Sequence, residues 1–246
     1  MSSLCSGIFE GGFMKAVIID YEICNMFSVK HACENVGFAA SISSSPKEIN
    51  DADIVILPGV GAFGDAMNSL RRLKLIQPIK EAIASGKPFI GICLGLQLLM
   101  EESEEFGNHK GLGIIPGAVK RFKKTFDPQT QKRLKIPHMG WNRIMAPGKH
   151  LDNLWTGTPL NDISPREFFY FVHSYFVEPE NKDHILAMTE YGNHVFCSAI
   201  RWKNVYAFQF HPERSGLMGI RIYQNLKSLI QRSNVETFGK QRSFYG

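Results

Sequence analysis

The sequence has no CxxC pair and only five cysteines, Cys5, Cys24, Cys33, Cys93 and Cys197, an odd number at wide spacing. That pattern excludes a disulfide framework and a cysteine-rich zinc site, and it fits a reduced, cytoplasmic setting. Long hydrophobic runs are missing too. Every apolar stretch is cut by Gly, Pro or a charge well short of the roughly 20 residues that span a bilayer. Residues 1–13 lack a basic start followed by an apolar stretch, so no cleaved leader is expected, and they are read as an extended or disordered arm.

What is present is a set of short, β-branched apolar runs separated by helical periodicity. Residues 15–20 (KAVIID) read as a buried strand. Phe27, Val29, Ala32, Cys33 and Val36 then recur at helical spacing, ended by Gly37. Further strands are expected at residues 39–43, 54–57 and 88–92, with one helix over 65–84 and helical character over 94–105. All-apolar strands alternating with helices predict an α/β fold with a doubly wound, mostly parallel sheet. Past Gly111, β-like runs at 113–122, 142–145, 168–172, 185–191, 195–201 and 205–210 predict a mixed or antiparallel extension. Residues 123–137 read as a loop and 216–231 as a helix. One domain is expected over residues 14–232, with a polar tail at 233–246. The net charge of +5 is mildly basic, with clusters at residues 120–124 and 132–135. These read as a solvated loop or as a face for an acidic partner.

The chemistry gathers at strand ends. Gly91-Ile92-Cys93-Leu94-Gly95 joins a buried strand to a helix, the layout of a nucleophile elbow. Such a turn forces its central residue into a rare conformation and crowds the neighbours, hence glycine on both sides. The helix start behind the sulfur favours an anion there and offers backbone N–H groups to an oxyanion. Phe208-Gln209-Phe210-His211-Pro212-Glu213 puts a histidine at the end of another apolar strand, with a carboxylate two residues on to orient it. Strand ends on the carboxyl side of such a sheet share one crevice, so Cys93 and His211 can meet there. Pro58-Gly59-Val60-Gly61-Ala62-Phe63 follows a third strand. It reads either as a plain glycine-rich connection or as the source of a second oxyanion donor beside the Leu94 amide, and not as a nucleotide loop. The stretch 101–105 reads as a solvated helix end, or, through Glu105, as an anchor for a substrate ammonium.

The motifs PGVGAF, GICLGLQ and FQFHPE, in that order, resemble those of the class I, triad-type glutamine amidotransferases. DYEICNMFSV, LLMEESEE, PHMGWN, YFVHSY and HPERSG are similar to segments of the glutaminase subunits of imidazole glycerol phosphate synthases. The resemblance runs from Met14 to about Arg232. It implies a flavodoxin-like amidotransferase fold with Cys93, His211 and Glu213 as the triad and Gly59, Val60 and Leu94 at the oxyanion. It implies glutamine contacts from Gln97, Glu105, Tyr170, His173 and Ser174, and no metal or cofactor. The implied partner is a (β/α)8-barrel cyclase subunit in a heterodimer, which takes up the released ammonia for histidine biosynthesis. Asn25, Met139 and Trp141 are candidates for that interface, or, for the last two, for the core. Neither nucleic acid nor membrane is implied as a partner. The family carries a glycine-containing turn after its first strand, where this chain has Glu22-Ile23-Cys24. Related subunits that supply ammonia for amidinating surface sugars stay open as an alternative, whereas the intact triad argues against a non-catalytic binding subunit.

Overall fold

The computed structural model describes residues 13–22, 26–148 and 155–242. In chain order its elements are β1 (Lys15–Ile19), α1 (Met26–Asn35), β2 (Ala39–Ser43), α2 (Pro46–Asp51), β3 (Ile54–Leu57), α3 (Phe63–Arg72), α4 (Ile76–Ala84), β4 (Phe89–Ile92), α5 (Leu94–Leu98), β5 (Met100–Ser103), β6 (His109–Lys110), β7 (Ile115–Arg121), β8 (His138–Arg143), β9 (Phe168–His173), β10 (Tyr175–Pro179), β11 (Ile185–Tyr191), β12 (His194–Trp202), β13 (Val205–Phe208) and α6 (Gly216–Arg242). One sheet runs in the order β2-β1-β3-β4-β13-β12-β10-β7-β5-β6, with β11 also on β12, and β8 and β9 form a separate ribbon. The five strands from β2 to β13 are parallel, and the next pairings, through β12, β10 and β7, are antiparallel. This is the α/β sheet with an antiparallel extension that the sequence predicts.

Side chains alternate across a strand, so an all-apolar strand feeds two cores at once. Val17 and Ile19 of β1, with Val55 and Leu57 of β3, pack on the face covered by α3, α4 and α5. Ala16, Ile18, Ile54 and Ile56 pack on the other face, beneath α1 and α6. The sheet is therefore sandwiched, and its crevice lies at the strand ends.

Among the departures of the structure from the sequence reading, three concern where helices end. The helix expected over 65–84 is two helices, because the chain turns at Lys74, whose φ is 56°, where Leu75 N–H reaches back to the Leu70 carbonyl. Pro78 then sits in the first turn of α4, where its missing N–H costs nothing, whereas within one long helix it would break the ladder. Helical character beyond Cys93 stops at Leu98, and Met100–Ser103 is a strand paired with β7. The carbonyls of Leu98, Leu99 and Met100 are taken by the N–H groups of residues 112–115, so tertiary pairing overrides local helix preference. Finally, α6 runs on to Arg242, into the segment read as a tail. Residues 1–12 of the proposed arm, and 243–246 of the tail, lie outside the described residues.

Candidate functional site

Three adjacent parallel strands, β3, β4 and β13, end side by side, and each delivers one part of the site. At the end of β4, Cys93 has φ 54° and ψ −107°, in the left-handed half of the map that L-residues avoid, and α5 begins at the next residue. Its backbone N–H is held by the Phe208 carbonyl of β13 at 2.7 Å. Gly95 is required by contact: a Cβ there would fall on the Leu57 carbonyl oxygen.

His211 follows β13. Its N–H donates to the Tyr170 carbonyl at 2.9 Å, and its carbonyl accepts from Ser215 Oγ at 2.6 Å, while Tyr170 N–H donates to the same hydroxyl. The ring is thus fixed from both sides of the chain. Nδ1 lies 2.8 Å from Glu213 Oε1, and Nε2 has no hydrogen-bond partner among the described residues. Burial alone would lower the His211 pKa, but its interactions with the Cys93 sulfur and the Glu213 carboxylate outweigh it and raise it to about 10. The ring is therefore held as a cation beside the Cys93 sulfur and the Glu213 carboxylate.

At the end of β3, Gly59 presents its carbonyl to Leu94 N–H at 3.4 Å, a long and weak bond. The Leu94 donor is turned toward a backbone oxygen. Gly59, Gly61 and Gly64 have the spacing of a dinucleotide loop. However, the N-terminus of α3, where a pyrophosphate would sit, is filled by the Glu105 carboxylate, which accepts from Phe63 N–H at 2.6 Å.

A cavity of about 310 Å³ opens beside Cys93, bounded by Val60, Gly61, Leu94, Gln97, Glu105, Pro137, Val172, His173, Ser174 and Tyr175. Four of the five expected glutamine contacts, Gln97, Glu105, His173 and Ser174, line it. The fifth, Tyr170, does not; it stands between His211 and Arg214, whose guanidinium lies 5.0 Å over its ring. Gln97 donates through Nε2 to the Tyr175 carbonyl at 3.0 Å and to Gln209 Oε1 at 3.2 Å. Its amide donors are used, and only its oxygen is left for a ligand. Burial raises the Glu105 pKa, partly offset by the Phe63 N–H. Sequence reasoning missed Gln209, the Val172 carbonyl and Ser215, although all three lie within the motifs that it used.

Behind the cavity wall, His173 Nδ1 donates to the Tyr175 carbonyl at 2.8 Å, and His173 Nε2 lies 3.0 Å from His138 Nδ1. Burial lowers His138 to about 4 and His173 to about 3. Unfolded, both titrate near 6.5, so the unfolded chain binds protons that the folded one refuses. Their contribution to stability is complete above about pH 6.5 and is lost as the pH falls toward these lowered values. Urea midpoints are expected to drop already between about pH 6.5 and 5, above the carboxylate range; a flat profile there would contradict neutral burial of the pair.

On the β8-β9 ribbon Met139 is 62% and Trp141 56% exposed, so neither packs in the core. Asn25 lies outside the described residues. The two basic clusters meet around a second cavity of about 1180 Å³ that includes Arg121, Lys123, Lys124, Arg133 and Lys135 and shares Pro137 and Ser174 with the first. Among the described residues no helix is long and apolar enough to cross a membrane, and no group of three acidic, His or Cys residues could hold a metal ion.

The family described as Glutamine amidotransferase class-I matches the chain over residues 17–226. Imidazole glycerol phosphate synthase subunit HisH of Syntrophotalea carbinolica is 46% identical over 211 residues, covering 85% of this chain and 97% of that protein. The protein of the same name from Aquifex aeolicus is 44% identical over 215 residues, covering 87% and 96%. Among solved structures, PurLQS from Thermotoga maritima superposes with a TM-score of 0.62 at 18% identity, over 90% of this chain and 99% of that one. A glutamine amidotransferase from the same organism gives 0.53 at 15%, over 91% and 86%. These two likenesses bear on the fold.

Proposed function

The chain belongs to the class I glutamine amidotransferase family, and from that premise we propose that it is the glutaminase subunit of an imidazole glycerol phosphate synthase. It hydrolyses glutamine to glutamate and ammonia in the cytoplasm and passes the ammonia to a (β/α)8-barrel cyclase subunit, its partner in a heterodimer of histidine biosynthesis. The observation that carries the chemistry is the Glu213-bound His211 beside a conformationally forced Cys93 at an amino-acid-sized cavity.

In the proposed reaction the Cys93 sulfur attacks the side-chain amide carbon of glutamine. Charge develops on the amide oxygen, and the His211 imidazolium gives its proton to the departing ammonia. A glutamyl thioester remains. Water, deprotonated by His211, attacks the thioester carbon, the sulfur leaves as thiolate, and glutamate is released. Glu213 holds the imidazole in one orientation throughout. Glu105 faces the substrate ammonium from its seat at the start of α3, and the Gln97 oxygen is a second acceptor for it. The Leu94 N–H is one oxyanion donor, and inversion of the Gly59-Val60 peptide would free it and add the Val60 N–H. Because the peptide rests with its carbonyl toward Leu94, turnover is expected to be slow in the isolated chain.

Free ammonia would be protonated and lost to solvent, so a sealed route to an acceptor is needed. The exposed Met139 and Trp141, on the ribbon whose base forms part of the cavity wall, supply an apolar docking face. Trp141→Ala is expected to weaken cyclase binding by about 2 kcal/mol, roughly 30-fold in Kd by calorimetric titration, without altering the melting of the isolated chain. The assignment itself is tested by glutamate release from the full chain, alone and with the cyclase partner and its nucleotide ligand. Strong stimulation supports it. Hydrolysis that this cyclase does not stimulate would move the chain to the sugar-amidinating relatives.

A further inference from the structure

Gln209 is fully buried between Phe208 and Phe210, whose rings pack in the aromatic core at 5.2 Å from each other. Its backbone N–H is tied to the Ser198 carbonyl. The alternation of the chain sends its side chain to the opposite side from those rings, toward the nucleophile. Nε2 lies 3.7 Å from Cys93 Sγ, and Oε1 accepts from Gln97 Nε2 at 3.2 Å. An interior amide is costly unless it is paired, and a methionine or leucine would fill the space without that cost. A neutral thiol is a poor acceptor, so the Gln209 N–H gains a proper partner only when the sulfur is ionised. Besides the His211 ring, the sulfur has one more polar neighbour among the described residues, the Val172 carbonyl at 3.8 Å, which accepts from a thiol and offers nothing to a thiolate.

We propose that Gln209 is a catalytic residue: its amide N–H stabilises the Cys93 thiolate while its oxygen sets the Gln97 side chain that lines the substrate cavity. One side chain then couples the state of the nucleophile to the shape of the pocket. When the thioester forms the sulfur loses its charge and the N–H···S contact weakens, and it is restored as glutamate leaves. The proposal rests on the reading of Cys93 as the nucleophile.

The test is the pH dependence of Cys93 alkylation by iodoacetamide in the full chain, followed by mass spectrometry on the Cys93 peptide. Cys33 and Cys197, which burial pushes up to about 12, are resolved from it as separate peptides. Gln209→Met keeps the length of the side chain and removes the donor without adding a charge. Its alkylation midpoint is expected to move up by about one to two pH units, so that below the midpoint the reaction slows roughly 10- to 100-fold, with the wild-type plateau recovered at high pH. Gln209→Leu is a second neutral variant, expected to move the same way. A midpoint at the wild-type pH in whichever variant folds overturns the proposal, because a purely structural role would change stability without moving it. Glutamate release with the cyclase is measured on wild type in parallel. If that is absent while the midpoint still moves, the functional assignment fails and the role of Gln209 toward the sulfur stands; an active wild type with an unmoved midpoint sinks the inference alone.

Discussion

Cys93→Ala is expected to lower partner-stimulated glutamate release by at least ~10⁴-fold, to the background of the assay, while the fold is kept. The size follows from what the sulfur does: without it no thioester forms, and the remaining donors and carboxylates can only bind glutamine. The fold survives because the side chain is small and its backbone N–H, held by the Phe208 carbonyl, is untouched. Substrate binding should survive as well, since Gln97 and Glu105 line the cavity independently of Cys93. The variant is therefore expected to bind glutamine in calorimetric titration without turning it over. Loss of binding together with turnover would point to damage to the pocket instead of removal of the nucleophile.

Gly95→Ala is expected to be strongly destabilising, at about 3 kcal/mol, or roughly 6–12 °C in Tm. The methyl would meet the Leu57 carbonyl, a backbone atom at the end of the central strand β3, and a backbone atom cannot swing away as a flexible side chain does. Relief requires α5 to move off the sheet, and α5 is the element that carries Leu94 and Gln97. Activity should fall with stability in this variant. Differential scanning calorimetry of Gly95→Ala beside Gly86→Ala separates the causes. Gly86 has φ 82° but open space around it, so it reports backbone conformation without a clash.

Much of this arrangement is legible in the sequence because it depends on local alternation and on turns. The parallel strands show as uninterrupted apolar runs, and the elbow shows as Cys93 between two glycines, of which crowding makes Gly95 obligatory. The break between α3 and α4 was also readable, from Pro78, whose place in a first turn requires a helix start just before it. Likewise α2, absent from the sequence reading, has its own signal in Ser45, which caps it, followed by Pro46 and by Glu48 in the first turn. The strand nature of β5 could not be read, because LLMEESEE has helical composition and becomes a strand only by pairing with β7 across the chain. The same limit applies to the site. Motifs point to Cys93, His211 and Glu213, but the amide contact from Gln209 to the sulfur and the displacement of Tyr170 from the cavity wall are facts of three-dimensional packing. Glu105 is the intermediate case: its charge was visible, whereas its seat on the N-terminus of α3 depends on β5 leading the chain there.

The most direct test of the account is to mix the full chain and the cyclase partner with isotopically labelled glutamine, quench in acid during turnover, and map the label by mass spectrometry. The account predicts a glutamyl thioester on the Cys93 peptide that disappears on chase with unlabelled glutamine and is absent from Cys93→Ala. Steady glutamate production with no label on Cys93 at any quench time, or undiminished production by Cys93→Ala, would contradict it.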